Sequence, residues 1–297
     1  MLAAPCLADA DADARDLKEI VDTDRYPLHD PDGERMRALI SRSRAELDRD
    51  GCTLLPGFLR NAALERARAE GQGLCEKAFF ASRHTNAYFT ADDPTLEEHD
   101  PRRHFMDRTS GFVTRDQIPA DTVIHRLYVA RAMKDLVGAC LGKRHIYEYA
   151  DPFAGLVINV LPDGTQQPWH YDTNEFIVTL MTQEPERGGA FEYCPNIRSE
   201  ENEAFEVVGR VLRGEDRDRV KTLDLRPGDL QLFRGRYSLH RVERVAGSRP
   251  RHTAIFAYSE QPGVIGRLER TRQLYGRVSE AHLLAERAHV RGDDLLD

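Results

Sequence analysis

The chain has 297 residues, 40% hydrophobic and 31% charged, with 21 Gly and 15 Pro, the composition of an ordinary globular protein. Its net charge of −8 argues against nucleic acid or an anionic membrane as a partner, and no apolar run approaches the ~20 residues of a membrane span. Five cysteines (Cys6, Cys52, Cys75, Cys140, Cys194), odd in number and without a C-x-x-C pair, make neither a disulfide framework nor a thiolate zinc site and suit the cytoplasm.

Residues 1–20, rich in Ala and Asp, read as a loose tail without the basic start and apolar stretch of a signal peptide. Asp30-Pro31-Asp32-Gly33 opens a helix whose apolar positions Met36, Leu39, Ile40 and Leu47 follow helical spacing until Gly51 ends it. Cys52–Phe58 reads as a strand and turn, and Asn61 as the cap of a second helix through Leu74. Residues 83–119 carry no period and read as loops that cover a site, with His84, Asn86, His99, His104 and Arg108 among them. Asp121-Thr122 starts a third helix that ends at Gly142.

From His145 the texture changes to short strands at 145–150, 154–161, 166–172, 175–183 and 190–194, then 220–225, 229–234, 237–245 and 251–259. A helix-prone insertion at 199–213 separates the two groups, and turns fall at Arg226-Pro227-Gly228-Asp229 and Ala246-Gly247-Ser248. The locally basic run from Arg234 to His252 reads as a solvated hairpin. The last stretch, 265–297, looks helical. The expectation is one mainly β domain with helical flanks (α+β) over 1–297: helices and covering loops at 30–142, a double-stranded β-helix (jelly roll, cupin-like) core at 145–262, and N-terminal and C-terminal helices outside it.

Chemistry concentrates in two places. Trp169-His170-Tyr171-Asp172 is an H-x-D pair, and alternate side chains of an extended segment share a face, so His170 and Asp172 can bind one ion. Arg226-Pro-Gly-Asp-Leu-Gln-Leu-Phe-Arg-Gly-Arg-Tyr-Ser-Leu-His240 supplies a second histidine. Two histidines and a carboxylate make the facial triad of non-haem Fe(II) oxygenases, which leaves one face of an octahedron for other ligands. Arg251 and Thr253 share a face of the last strand, and a guanidinium with a neighbouring hydroxyl suits the far carboxylate of 2-oxoglutarate. Arg249, before Pro250, belongs to the turn. Asn159 is a polar residue in an apolar strand, read equally as a satisfied core amide or a contact to 2-oxoglutarate or substrate.

With these residues in place, the chain resembles the Fe(II)/2-oxoglutarate-dependent dioxygenases over roughly 25–265. More narrowly, it is similar to the bacterial ArpA-like group of free-amino-acid halogenases and hydroxylases. The stretches that carry this are His170-Tyr-Asp-Thr-Asn-Glu-Phe-Ile-Val-Thr-Leu180, Gly188-Gly-Ala-Phe-Glu-Tyr-Cys-Pro-Asn-Ile-Arg-Ser199 and Arg226–Val242. Halogenating members have Gly where a carboxylate ligand stands, so Asp172 implies hydroxylation. Members acting on lysine use a His before the metal motif and an acid after it. Gln166-Gln167-Pro168 and Thr173-Asn174 stand here, which puts lysine in doubt and leaves a small polar, amino-acid-like substrate.

The resemblance implies Fe(2+), 2-oxoglutarate and O2 as cofactor and co-substrates, with succinate and CO2 released. A homodimer is left open. Three other readings compete: a regulatory protein that binds metal and 2-oxoglutarate without turnover, a hydroxylase acting on a protein or RNA, and a zinc hydrolase on the same triad. The last leaves Arg251 and Thr253 without a role, and the acidic balance weighs against RNA.

Overall fold

A computed structural model describes residues 17–286. Eleven strands form its two main sheets: β1 (Cys52–Leu55), β2 (Phe79–Phe80), β3 (Gly111–Thr114), β4 (Leu156–Leu161), β5 (Gln167–His170), β6 (Ile177–Gln183), β7 (Phe191–Cys194), β8 (Lys221–Leu223), β9 (Leu230–Phe233), β10 (Leu239–Val242) and β11 (Arg251–Phe256). The larger sheet has the order β1-β9-β6-β11-β4-β3-β2 and the smaller β8-β7-β10-β5. Neighbours are antiparallel throughout. Two facing antiparallel sheets of this kind form the expected jelly-roll core.

The helices are α1 (Glu34–Asp50), α2 (Asn61–Leu74), α3 (Val123–Val129), α4 (Arg131–Leu141), α5 (Phe205–Leu212), α6 (Leu268–Tyr275) and α7 (Glu280–Glu286). Alternation along the central strands decides which layer meets which. Leu156, Ile158 and Val160 of β4 join Val178, Leu180, Leu230, Leu232, Ala254 and Phe256 in one core with Met36, Leu47, Leu127 and Met133 of the helices. Their alternates face the other way: Leu161 packs with Phe191, Tyr193, Phe233 and Val242 between the sheets, and Val157 with Phe112 and Tyr275. Each fully buried aliphatic side chain contributes about 1.5–3 kcal/mol. A slip of one residue in β4 would exchange its faces, so the apolar set fixes the register that turns Asn159 inward.

Several expected elements come out differently. The third helix is two, because Ala130 leaves the helical region (φ −60°, ψ 133°) and caps α4 without any Pro or Gly to announce the break. The second helix begins after Arg60, so Asn61 is its first residue instead of its cap. The segment 83–119 is not all loop: Gly111–Thr114 pairs with β4 within the larger sheet, and Arg83–Thr85 pairs with Met106–Arg108. The terminal helix is two, divided at Gly276 with φ 70°. Of the expected loose tail, residues 1–16 lie outside the described part, while Leu17 and Ile20 are buried in the core and depart from that expectation. Residues 287–297 are also outside it.

Candidate functional site

His170 and His240 are brought together by strand pairing. β5 and β10 are neighbours in the smaller sheet with His240 opposite His170, and a register irregularity follows before Val242 meets Gln167. The two imidazole centroids lie 4.1 Å apart. Asp172 follows β5, and its amide donates to the Gly235 carbonyl at 3.1 Å, which ties the H-x-D segment to the β9–β10 connection. Its carboxylate oxygens stand 3.9 Å from His170 Nε2 and 3.5 Å from His240 Nε2. A Cβ on residue 235 would overlap Asp172 Oδ2, so the close approach requires glycine there. The three ligand atoms fall within 4.8 Å of one another.

The tautomers are set by the chain itself. His170 Nδ1 donates to the Pro168 carbonyl at 2.8 Å and His240 Nδ1 to the Ser238 carbonyl at 2.9 Å, each two residues back. A proton held on Nδ1 leaves the Nε2 lone pair for a cation. Burial, then the neighbouring His240, then Arg108 push His170 well below the usual histidine range, so its imidazole is neutral, the form that ligates metal. Gln167 donates its side-chain amide to His170 Nε2 at 2.8 Å and is the group a metal at that nitrogen would displace. Two imidazoles and a carboxylate fit a divalent first-row ion such as Fe(II).

Arg251 and Thr253 lie on the inward face of β11, where Thr253 is in register with Asn159 of β4. Arg251 is 2% exposed, Nη1 donates to Thr253 Oγ1 at 2.6 Å, and Nε has no hydrogen-bond partner. Burial without a carboxylate pushes its pKa down to about 10. A buried guanidinium with an orphaned N–H fits an anion such as the far carboxylate of 2-oxoglutarate. Arg249 is exposed and donates to the Glu184 carbonyl. Asn159 donates to the Gly111 carbonyl at 3.3 Å and therefore has a structural partner on β3.

Beside His170 and Asp172 lies a cavity of about 120 Å3 walled by Phe112, Val157 and Ile255 from the larger sheet, by Arg108, and by Arg267 and Arg270 at the start of α6. A second cavity of about 390 Å3 adjoins it, sharing Arg108, Phe112 and Leu274. Phe89 lines the second cavity, its ring edge-on to His170 at 6.2 Å. It holds φ at 57°, a region that costs a bulky residue about 1–3 kcal/mol. Asn86 imposes that turn: its Oδ1 accepts the amides of Tyr88 and Thr90, and its Nδ2 donates to the Thr90 carbonyl and hydroxyl and to the Arg102 carbonyl.

Sequence reading missed Gln167, Gly235 and Phe89, and placed Arg108 only in a covering loop. The signal that could have found Gly235 is the unusual Arg-Gly-Arg just before His240.

This fold, with a His-Asp-His cluster at the mouth of the jelly roll, places the protein among the Fe(II)/2-oxoglutarate oxygenases. Within that class the chain belongs to the family described as Halogenase D (HalD), which it matches over residues 36–270. No protein of curated function matches the sequence. Among solved structures, the epimerase SnoN from nogalamycin biosynthesis, in complex with Fe3+, alpha ketoglutarate and nogalamycin RO, is similar at 15% identity. The match covers 75% of this chain and 84% of that one with a TM-score of 0.51. AviO1 from Streptomyces viridochromogenes Tue57 is similar at 15% identity, over 77% of this chain and 96% of that one, with a TM-score of 0.50. At these identities the likeness shows the shared fold.

Proposed function

We propose that this oxygenase hydroxylates an unactivated C–H bond of a small, polar, amino-acid-like molecule. His170 Nε2, His240 Nε2 and one oxygen of Asp172 would hold iron, and Arg251 with Thr253 would hold the far carboxylate of 2-oxoglutarate. When bound, the pair supplies the oxidising power that breaks the C–H bond, with succinate and CO2 released. The protein's own part is positioning and dryness. The carbonyls of Pro168 and Ser238 fix both imidazoles in one orientation, and the Asn86-held turn keeps Phe89 against His170. Phe112, Val157 and Ile255 give the cavity an apolar wall that excludes water from the reacting carbon.

The observation that carries hydroxylation is Asp172. Its carboxylate faces both histidines at 3.5–3.9 Å, in the place a halide would need on the metal. The family description favours a second reading, chlorination, and one experiment separates them. Turnover in molar chloride under 18O2 is expected to give product carrying 18O and no chlorine. Chlorinated product from the unmodified chain overturns the assignment.

A further inference from the structure

The larger cavity, of about 390 Å3, has a wall unlike the one beside the triad. Three phenylalanine rings line it from three segments: Phe89 from the Asn86-held turn, Phe105 from just before the strand Met106–Arg108, and Phe112 from β3. The His84 imidazole stacks on Phe105 with centroids 5.7 Å apart and a 23° interplanar angle, and its Nδ1 lies 3.0 Å from Asp107 Oδ1. Tyr275 meets Phe112 edge-on at 5.8 Å. Both rings are therefore held by neighbours before any ligand enters, which lowers the ordering cost of binding against them.

The uncharged polar side chains of this wall already have partners. Thr85 donates to the Asn86 carbonyl at 3.2 Å, Thr90 Oγ1 accepts from Asn86 Nδ2 at 2.9 Å, Ser110 Oγ accepts from Arg108 Nε at 3.1 Å, and Gln273 donates to Glu269 at 3.2 Å. Of its two cations, Arg83 is exposed and Arg108 lies 5.5 Å from the Phe112 ring centroid. What the wall offers a ligand is then chiefly ring faces and methyl groups, which a flat apolar group uses best. Position ties this cavity to the reaction. It shares Arg108, Phe112 and Leu274 with the space beside His170, and Phe89 on its wall has its ring 6.2 Å from that of His170. The space beside His170, about 120 Å3, falls below the ~300–1,000 Å3 of small-molecule sites, and the second cavity brings the pair into that range.

We propose that the substrate carries an aryl group, which lies in the second cavity against Phe105 and Phe112 while the amino-acid-like part sits beside His170 and Asp172. The ring is either the amino acid's own side chain or a substituent on its amine or carboxyl group. The inference rests on the oxygenase reading above and extends its substrate.

Binding is read by calorimetry, independently of turnover. The protein is loaded anaerobically with Fe(II) and saturating 2-oxoglutarate and titrated with L-leucine, L-phenylalanine, L-tryptophan, N-benzoyl-L-leucine and L-leucine anilide. These ligands place the ring on the side chain, the amine or the carboxyl group, so their comparison identifies where it is attached. At least one aryl ligand is expected to bind about tenfold or more tightly than leucine. Phe105→Ala should remove most of that advantage and leave leucine binding unchanged. Ala81→Phe, at a half-buried position on the same wall, should fill the space with the same result, and it keeps the test decisive if Phe105→Ala melts early. Loss of the advantage in either variant supports the proposal. Leucine binding as tightly as every aryl ligand overturns it, as does an aryl advantage that survives both variants. An aryl advantage that the variants abolish, without the absorbance band of iron-bound 2-oxoglutarate, would retain this inference and refute the oxygenase reading. A normal band with no aryl advantage refutes only the inference.

Discussion

Two buried clusters in this molecule pair histidine with aspartate, and they differ in where their polar atoms point. In the first, His282 Nε2 meets Asp151 Oδ2 at 2.9 Å and its Nδ1 meets the Ser279 hydroxyl at 2.6 Å. By residue type it has the Ser-His-Asp composition of a nucleophilic triad. Every lone pair, however, already has local work: Asp151 Oδ1 accepts the amides of Phe153 and Ala154, its Oδ2 also accepts the Gly266 amide, and His282 Nδ1 also accepts the Ser279 amide. The cluster caps α7 and ties it to the start of β4. In the second, His170, Asp172 and His240 direct Nε2 and carboxylate atoms at one another across 3.5–3.9 Å, too far for hydrogen bonds. Both pair imidazole with carboxylate, but Asp151 is fully buried and Asp172 is 21% exposed; convergent lone pairs mark the candidate ligand site.

The sharpest break of that comparison is a pair of alanine variants. His240→Ala is expected to remove the charge-transfer absorbance of iron with 2-oxoglutarate and to lower turnover by roughly a thousandfold, with little change in melting temperature. His282→Ala should do the reverse, keeping the absorbance while losing about 3 kcal/mol of stability, because Asp151 is left buried with one partner fewer. Equal loss of absorbance in both would erase the distinction.

Next in size is the arginine comparison. Arg251→Ala should raise the 2-oxoglutarate concentration for half-maximal activity by roughly 30-fold or more, the equivalent of at least about 2 kcal/mol for a charge-assisted contact. Arg249→Ala should leave it unchanged. The opposite pattern would move the clamp to the turn. A subtler test leaves all three proposed ligands in place: Gly235→Ala pushes on Asp172 Oδ2 and should weaken iron binding by about 10–100-fold with the fold intact. Wild-type affinity in that variant would show that Asp172 is not held by the close approach.

A last, pH-dependent effect concerns His252, on the outward face of β11 next to Arg251, whose Nε2 lies 3.0 Å from Cys75 Sγ. Burial lowers it from 6.5 to about 4. Between those values the unfolded chain takes up a proton that the folded chain refuses. Its contribution is therefore full above pH 6.5 and lost as pH falls toward 4, by at most about 3 kcal/mol. Denaturant melts of His252→Gln across that range should show a shallower decline than the parent; parallel curves would remove His252 from the acid response.

The sequence already carried the H-x-D pair, the distal histidine and the Arg-x-Thr strand, because their spacing is local and strands have a period of two. It also carried most strands of the core, whose apolar runs and turn residues are strong signals. Burial of Arg251 and its bond to Thr253 followed from a register that the apolar face of β4 and β11 enforces. Other features depended on contacts between distant segments. The break at Ala130 has no breaker residue, and Gly111–Thr114 becomes a strand only because β4 offers it an edge. Phe89 is held by Asn86, which reaches the Arg102 carbonyl, and Arg108 meets Arg270 across a ring more than a hundred residues from one of them in sequence. The candidate ligands are a property of short motifs, whereas the shape of the cavity arises where loop, sheet and C-terminal helix converge, and only tertiary packing decides that convergence.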